Sequence, residues 1–160
     1  MLVDRIIISA CLVGVRCRYD GTDAYNPFLP FPLPPRLIGG SVAPGEGGGI
    51  CLIPVCPEQL GGLPTPRPSA EIDNGDGMDV LEGRAKIIDI DGRDVTDAFI
   101  KGAKEVLKIA RLFNVRKAIF KENSPSCGVE QIYRKGELVK GAGVMTALLM
   151  KEGFEIEGMR

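Results

Sequence analysis

The sequence contains no histidine, and this absence removes several classes of functional site at once. Without an imidazole the chain cannot form a Cys-His nucleophilic pair, a Ser-His-Asp triad or a His-ligated metal centre. A strong net charge is also missing, since 20 basic and 21 acidic residues give a formal charge of −1. Together with 44% hydrophobic residues, this balance argues against a disordered chain and against a nucleic-acid polymer as partner.

Long hydrophobic runs are absent as well. No apolar stretch approaches the roughly 20 residues that a membrane helix needs, and the N-terminus enters a strand without a signal-peptide pattern. The expected location is therefore the cytoplasm, with no membrane association and with reduced thiols. The cysteine count of five is odd, which also disfavours a framework of disulfides.

What the sequence does contain is an alternation of strand and helix patterns. Short apolar runs at 5–10, 50–55 and 117–120 are typical of buried parallel strands. An apolar stripe at helical spacing ends near Asn114, and Gly153 closes a second helix. The alternation predicts an α/β fold, a single domain built on a mostly parallel sheet flanked by helices, Rossmann-like in character.

The predicted domain covers residues 1–160 and is interrupted by a Pro- and Gly-rich excursion at about 26–49. Its prolines exclude a continuous helix or a central strand there. The excursion is compatible with a lid over a site, a partner surface or an ordinary surface loop. Short hairpins are also predicted, one at 85–90 with the turn at Asp91-Gly92 and one at 132–138.

Three cysteines each follow one of the predicted strands, namely Cys11, Cys56 and Cys127. Because parallel strands end at the same edge of a sheet, and ligands bind at that edge, these thiols can meet. Thiolates without histidine favour a soft metal centre, either zinc or an iron–sulfur cluster. A closed zinc site needs a fourth ligand, for which Cys17 or Cys51 is available, whereas three ligands leave one metal position open to a substrate.

Seven motifs, in this order along nearly the whole chain, resemble the thiouracil desulfurase family of bacteria and archaea. They are SACLVG (9–14), RYDG (18–21), PVCPE (54–58), LGGLPTPRP (60–68), DVT (94–96), KENSPSCG (121–128) and GAGV (141–144). The resemblance implies a [4Fe-4S] cluster held by Cys11, Cys56 and Cys127, which would take the sulfur of a thiolated pyrimidine at its fourth iron. It further implies that hydrolysis of this small molecule releases sulfide. The excursion and Cys17 depart from the family pattern.

A carboxylate is needed to activate the attacking water, and Glu58, two residues after Cys56, is the first candidate. Ser124 could hydrogen-bond the base or hold the water, and Asp20 is a weaker third candidate; the resemblance also points to Glu58 and Ser124. Each has a structural alternative, because Glu58 suits the first turn of a helix after a proline and Ser124 suits a turn. Arg67 is interpreted as a structural ion-pair partner.

Rival functions stay open at this point. Thiols can hold zinc or a cluster in a structural or sensor protein without desulfurase activity, and Cys127 could be the nucleophile of a metal-free thiol enzyme. Cys17 and Cys51 are interpreted as ordinary small hydrophobic residues, with Cys51 expected in the core. The sequence does not indicate the physiological substrate or the oligomeric state.

Overall fold

A computed structural model describes residues 4–30 and 50–160 of the chain. The elements alternate between strand and helix for much of the chain. In order they are β1 (Asp4–Ser9), a 3-10 turn (Ala10–Val13), β2 (Ile50–Val55), α1 (Pro57–Leu60), β3 (Ala70–Ile72), α2 (Gly77–Leu81), β4 (Ile87–Asp89), α3 (Thr96–Leu112), β5 (Lys117–Lys121), β6 (Gln131–Arg134), β7 (Glu137–Lys140), α4 (Val144–Lys151) and β8 (Glu155–Met159).

The central sheet has four strands in the order β2-β1-β5-β8. Every neighbouring pair is parallel, so the predicted α/β class with a parallel sheet is confirmed. The chain places β2 on one side of β1 and β5 on the other. The topological switch point therefore lies at the carboxyl end of β1, where sheets of this kind bind ligands.

The two faces of the sheet are covered differently. Ile7, Ala118 and Phe120 point to the larger core, which also contains the buried residues of α3 and α4. Ile6 and Ile8 point the other way. They pack in a smaller cluster with Leu12, Leu29 and Ile119. The alternation along β1 thus fixes which face carries the long helices.

The two long helices agree with the predicted pattern. The apolar stripe of α3 is buried, and the helix ends at Leu112, close to the expected Asn114. Gly143 is the N-cap of α4, and Gly153 follows its end at a φ of 84°, a left-handed conformation that glycine adopts without steric cost. The ends of α4 are therefore marked by glycines that are visible in the sequence.

The smaller elements show where local patterns were incomplete. The predicted hairpin at 132–138 forms as the antiparallel pair β6 and β7. The predicted hairpin at 85–90 forms as a narrow one, in which the Asp89 N–H donates to the Arg93 carbonyl oxygen and the Val95 N–H to that of Ile87, around the antiparallel bridge between Ile88 and Asp94. The pairing of β4 with β3 was not predicted. The short helix α2 was not predicted, although Asp76 and Asp79 form a capping box at its start.

Strand β2 lies at one end of the described sheet, so it is only partly buried. Its proline, Pro54, is tolerated because an end strand has one side free of ladder hydrogen bonds. The expectation that Cys51 belongs to the core is wrong, since this residue is exposed. Residues 31–49 of the predicted excursion lie outside the described residues.

Within residues 4–30 and 50–160, no helix has the length and apolar character required to cross a bilayer.

Candidate active site

A cavity of about 490 Å³ opens at the carboxyl ends of β1, β2 and β5, the three adjacent strands around the switch point. Cys11, in the 3-10 turn after β1, lines it together with Cys56 and Cys127. The predicted convergence of these thiols on one edge of the sheet is therefore what the fold produces. A volume of this size is suited to a cofactor or a small ligand.

The thiols of the cavity are shielded from solvent, which favours their neutral form. Cys127 is only 7% exposed, and burial raises its pKa to about 12. The pKa of Cys56 is raised as well, first by a hydrogen bond with the Cys17 side chain and then by burial. Because a thiol must lose its proton to bind a metal, occupation of this site would release protons.

Cys17 is a fourth thiol of the cavity, although it was interpreted from the sequence as an ordinary small hydrophobic residue. It is 3% exposed and packs with Cys11 and Cys56. A hydrogen bond with Cys11 is the main reason that its pKa rises to about 11. The signal for this placement is Gly14, whose φ of 95° ends the 3-10 turn in a conformation that favours glycine.

Glu58 lies in the first turn of α1 behind Pro57, as its structural interpretation required. Its carboxylate also lines the cavity, so the two interpretations do not compete. Oε2 forms a 2.5 Å ion pair with Arg67, and the two side chains are only 13% and 5% exposed. The predicted ion-pair role of Arg67 is thereby confirmed.

Arg67 connects the carboxylate to the segment that carries Cys17. Its Nη2 donates to the Cys17 carbonyl oxygen at 2.9 Å, while Nη1 donates to the Pro64 carbonyl oxygen and the Thr65 hydroxyl, both at 3.1 Å. A planar guanidinium with five donors suits this role, because its hydrogen bonds are fixed in direction. The position of Glu58 therefore depends on a residue nine positions away in the chain.

Ser124 organises the loop of residues 124–128, named here the Cys127 loop. Its Oγ accepts hydrogen bonds from the backbone N–H groups of Ser126 and Cys127, at 3.1 and 3.2 Å. The Gly128 N–H donates to the Ser124 carbonyl oxygen at 2.9 Å. These contacts support the turn-forming interpretation of Ser124 and hold the Cys127 thiol at the cavity.

Ser126 is a residue of the site that the sequence analysis did not single out. Its hydroxyl donates to Oε1 of Glu58 at 3.1 Å and lies 3.6 Å from Sγ of Cys127. It also lies 2.9 Å from the Ser124 hydroxyl. The available signal was its place in the motif that carries Cys127, but only the fold brings it to Glu58, 68 positions earlier.

Asp20 is placed differently from the other predicted site residues. Its carboxylate accepts hydrogen bonds from the Thr22 hydroxyl and N–H at 2.6 and 3.0 Å, which lower the pKa of this exposed group. Among the described residues that line the cavity are its neighbours Arg18 and Tyr19, but not Asp20 itself. Its carboxylate supports a turn, and its catalytic role stays a prediction.

The chemistry of the donors fits an iron–sulfur cluster. Thiolates are the ligands by which proteins hold such clusters, and the cavity offers them from three separate segments. Among residues 4–30 and 50–160, no three or more His, Cys, Asp or Glu side chains lie close enough to share a single metal ion. A cluster makes no such demand, because each thiolate binds a different iron.

A family model described as 2-thiouracil desulfurase matches residues 6–158. The chain belongs to the 2-thiouracil desulfurase family. This match covers all of the strand ends that carry the thiols, and it confirms the resemblance drawn from the sequence motifs.

Two further comparisons found similar proteins. The Bacillus subtilis (strain 168) protein YbbK is 40% identical over 154 residues, which are 94% of this chain and 93% of that protein. A solved structure of the [4Fe-4S]-dependent thiouracil desulfidase TudS is 34% identical. It matches with a TM-score of 0.72 over 97% of this chain and 90% of that one.

Proposed function

We propose that this protein is a [4Fe-4S]-dependent desulfurase that acts on thiouracil or a similar small thiobase. In the overall reaction water replaces the sulfur, so that a thiocarbonyl compound and H₂O give the carbonyl compound and H₂S. The observation that carries the proposal is the convergence of Cys11, Cys56, Cys127 and the Glu58 carboxylate on one cavity. Membership of the 2-thiouracil desulfurase family and the likeness to TudS support the same activity.

Cys11, Cys56 and Cys127 would hold the cluster. When bound, it supplies an iron with an open coordination position, a Lewis acid with affinity for the soft sulfur of a thiocarbonyl group. The burial of Cys11 and Cys127 keeps the attachment points away from bulk water, which also protects a cluster of this kind from side reactions.

Glu58 is proposed to accept the proton of the attacking water. Its Oε2 is engaged by Arg67 and its Oε1 accepts one hydrogen bond from Ser126. Because a carboxylate has about four acceptor positions, Glu58 retains capacity to bind a water that faces the cavity. General base catalysis by a positioned carboxylate contributes about 10²–10⁴ to a rate.

Ser124 and Ser126 are given different roles in this proposal. The Ser124 hydroxyl oxygen accepts hydrogen bonds from backbone N–H groups of the Cys127 loop. We therefore propose that Ser124 positions this loop. Ser126 touches both the Glu58 carboxylate and the Cys127 thiol, and we propose that it fixes the direction of the carboxylate.

The proposed partner of the site is a small molecule. The free thiols suit the reducing cytoplasm as the location of the protein.

The decisive experiment is anaerobic cluster reconstitution followed by measurement of sulfide released from 2-thiouracil. The expected protein is brown, contains about four irons per chain and releases sulfide. Cys11→Ala, Cys56→Ala and Cys127→Ala should each lose the visible absorption, while Cys51→Ala is the matched control, because that thiol is exposed on β2. A colourless protein that binds one zinc per chain would overturn the proposal.

Glu58→Gln tests the assignment of the base separately. The amide keeps the size of the side chain but cannot take up a proton, so turnover should fall by about 10²–10⁴ while iron content and absorption persist. If sulfide release from 2-thiouracil were unchanged in Glu58→Gln, the proposed base would be wrong even though the cluster assignment stood.

A further inference from the structure

Asn123, immediately before the Cys127 loop, carries a polar atom without a partner. Its Oδ1 is buried and accepts no hydrogen bond, which costs about 1–3 kcal/mol for a group of this kind. The residue lines the same cavity as the thiols. An uncommitted acceptor in the wall of a binding cavity points to a donor on the ligand, because buried polar groups are nearly always paired in the state that functions.

The backbone of Asn123 is held in place independently of its side chain. Its φ is 73°, in the left-handed region where asparagine is enriched, and its N–H donates to the Gln131 carbonyl oxygen at 3.1 Å. The terminal torsion of an asparagine amide is soft. Oδ1 can therefore turn towards a ligand without losing a hydrogen bond, since it has none in the free protein.

Four polar side chains of the cavity are already engaged with one another. Arg67, Glu58, Ser126 and Ser124 form a continuous chain of contacts. Lys121 differs, because within the described part of the chain no hydrogen bond or ion pair engages its ammonium group, and this half-buried residue lines the cavity. The end of β5 therefore offers one free acceptor and one free cationic donor, two residues apart.

We propose that Asn123 and Lys121 recognise the ring edge of the substrate, with Oδ1 of Asn123 accepting a ring N–H and the ammonium of Lys121 donating to a ring carbonyl oxygen. Thiouracil presents this pattern, since its N3–H lies between the thiocarbonyl and the carbonyl group. The inference rests on the proposed function and specifies the substrate class as bases with an N–H and C=O edge. A site of this kind rejects analogues that lack the donor.

The test measures ring recognition without sulfur, by equilibrium dialysis of uracil and 3-methyluracil against the cluster-loaded protein. Uracil should bind the wild type about tenfold more tightly than 3-methyluracil, which lacks the N3–H. Asn123→Gly should reduce this preference to about twofold or less, whereas Asn123→Asp, which keeps an acceptor oxygen, should retain it. Both replacements tolerate a positive φ.

Two further variants separate recognition from damage to the fold. Asn114→Gly is the matched control, because Asn114 also has a positive φ, 52°, but is not among the described residues of this cavity. It should leave the preference unchanged. Lys121→Met should weaken uracil and 3-methyluracil alike by about tenfold, because both retain the C4 carbonyl oxygen.

The outcomes distinguish this inference from the proposed function. If the wild type releases sulfide from 2-thiouracil but binds uracil and 3-methyluracil equally, or if Asn123→Gly keeps the tenfold preference, recognition through Asn123 is overturned and the activity stands. If Lys121→Met binds uracil as tightly as the wild type, the role of Lys121 is overturned. A wild-type protein that neither releases sulfide nor binds uracil would overturn both proposals.

Discussion

Two segments meet at the hydrogen bond between Ser126 and Glu58, and they are held in place by different means. The Cys127 loop is fixed by backbone groups, since Ser124 caps its N–H groups and the N–H groups of Val144 and Met145 at the start of α4 donate to its carbonyl oxygens. In the other segment the Glu58 carboxylate is held instead by one long side chain, Arg67, which also binds the Cys17 carbonyl oxygen.

Glycines bring both segments close to a helix, but they act on different partners. A Cβ on Gly143 would overlap the backbone of Ser126 and Cys127, so α4 sits directly under the Cys127 loop. Gly61 of the turn after α1 and Gly102 of α3 allow equally close contact between those two helices. The comparison suggests that changes near Cys127 should affect cluster binding, whereas changes near Arg67 should affect the handling of water and protons.

The largest effect is expected from Gly143→Ala. The φ of Gly143 is −69°, which alanine adopts freely, so the whole effect is steric. The added methyl group would lie 2.8 Å from the Cys127 nitrogen and closer still to Ser126, so the loop must move. We expect a loss of at least about 3 kcal/mol in the free energy of unfolding and little bound iron, measured by urea titration and iron analysis.

Gly83→Ala serves as the control for that experiment. Nothing lies within 4 Å of a Cβ at Gly83, although its φ is 78°. It should cost about 1 kcal/mol of backbone strain and leave iron binding intact. Normal iron content in Gly143→Ala would show that the Cys127 loop does not depend on its contact with α4.

The next largest effect is expected from Arg67→Met, because this change leaves the buried Glu58 carboxylate without its partner. Removal of one member of a buried ion pair costs about 3–5 kcal/mol of stability, and turnover should fall about a hundredfold as the carboxylate loses its fixed position. Bound iron should persist, since none of the three proposed ligands is removed.

Arg67→Lys restores the charge without the planar fork. It should recover more of the unfolding free energy than of the turnover, because a single ammonium group cannot reach Glu58, Thr65 and the Cys17 carbonyl oxygen together. Equal turnover in Arg67→Lys and the wild type would mean that charge alone, and not the network, positions Glu58.

A smaller effect is expected from Ser124→Ala. This change removes the acceptor of two backbone N–H groups in the Cys127 loop, at a cost of about 2 kcal/mol. Turnover should fall only severalfold, with a matching loss of bound iron. If turnover fell more than a hundredfold while iron stayed bound, Ser124 would have to contact the substrate directly.

The smallest effect is expected from Asp20→Asn. The amide oxygen can still accept hydrogen bonds from Thr22, which are the contacts that the carboxylate makes. Sulfide release should stay within about twofold of the wild type. A large loss of turnover with normal iron content would instead establish Asp20 as a catalytic residue.

The structural features that could be predicted from the sequence are those that depend on a local pattern of residues. The strands before Cys11, Cys56 and Cys127 are apolar runs, and the direction of parallel strands is enough to bring their ends together. Two features were not predictable, namely the contact between Ser126 and Glu58 and the packing of Cys17 against Cys11. They depend on side-chain geometry between segments that only the complete fold brings together.

Strand pairing shows the same limit on a smaller scale. The turn signal at Asp91-Gly92 follows β4, yet the ladder partner of β4 is β3, in a register that pairs Ile72 with Ile87, 15 positions later in the chain. Turn residues indicate pairing between strands that are neighbours in sequence. Burial of Ile72 and Ile87 instead stabilises the pairing of two strands that are distant in the chain. β4 therefore bonds both to residues 93–95 across the turn and to β3, and the local pattern indicated the first partner alone.

The order of strands in the sheet has a consequence for how the protein is made. The third thiol, that of Cys127, follows β5, and this strand is itself bordered by β8, which ends at Met159. During synthesis Cys11 and Cys56 are made well before Cys127. The three thiols can therefore come together only after most of the chain has emerged. A group that is held by all three thiols could then be inserted only late in synthesis or after it.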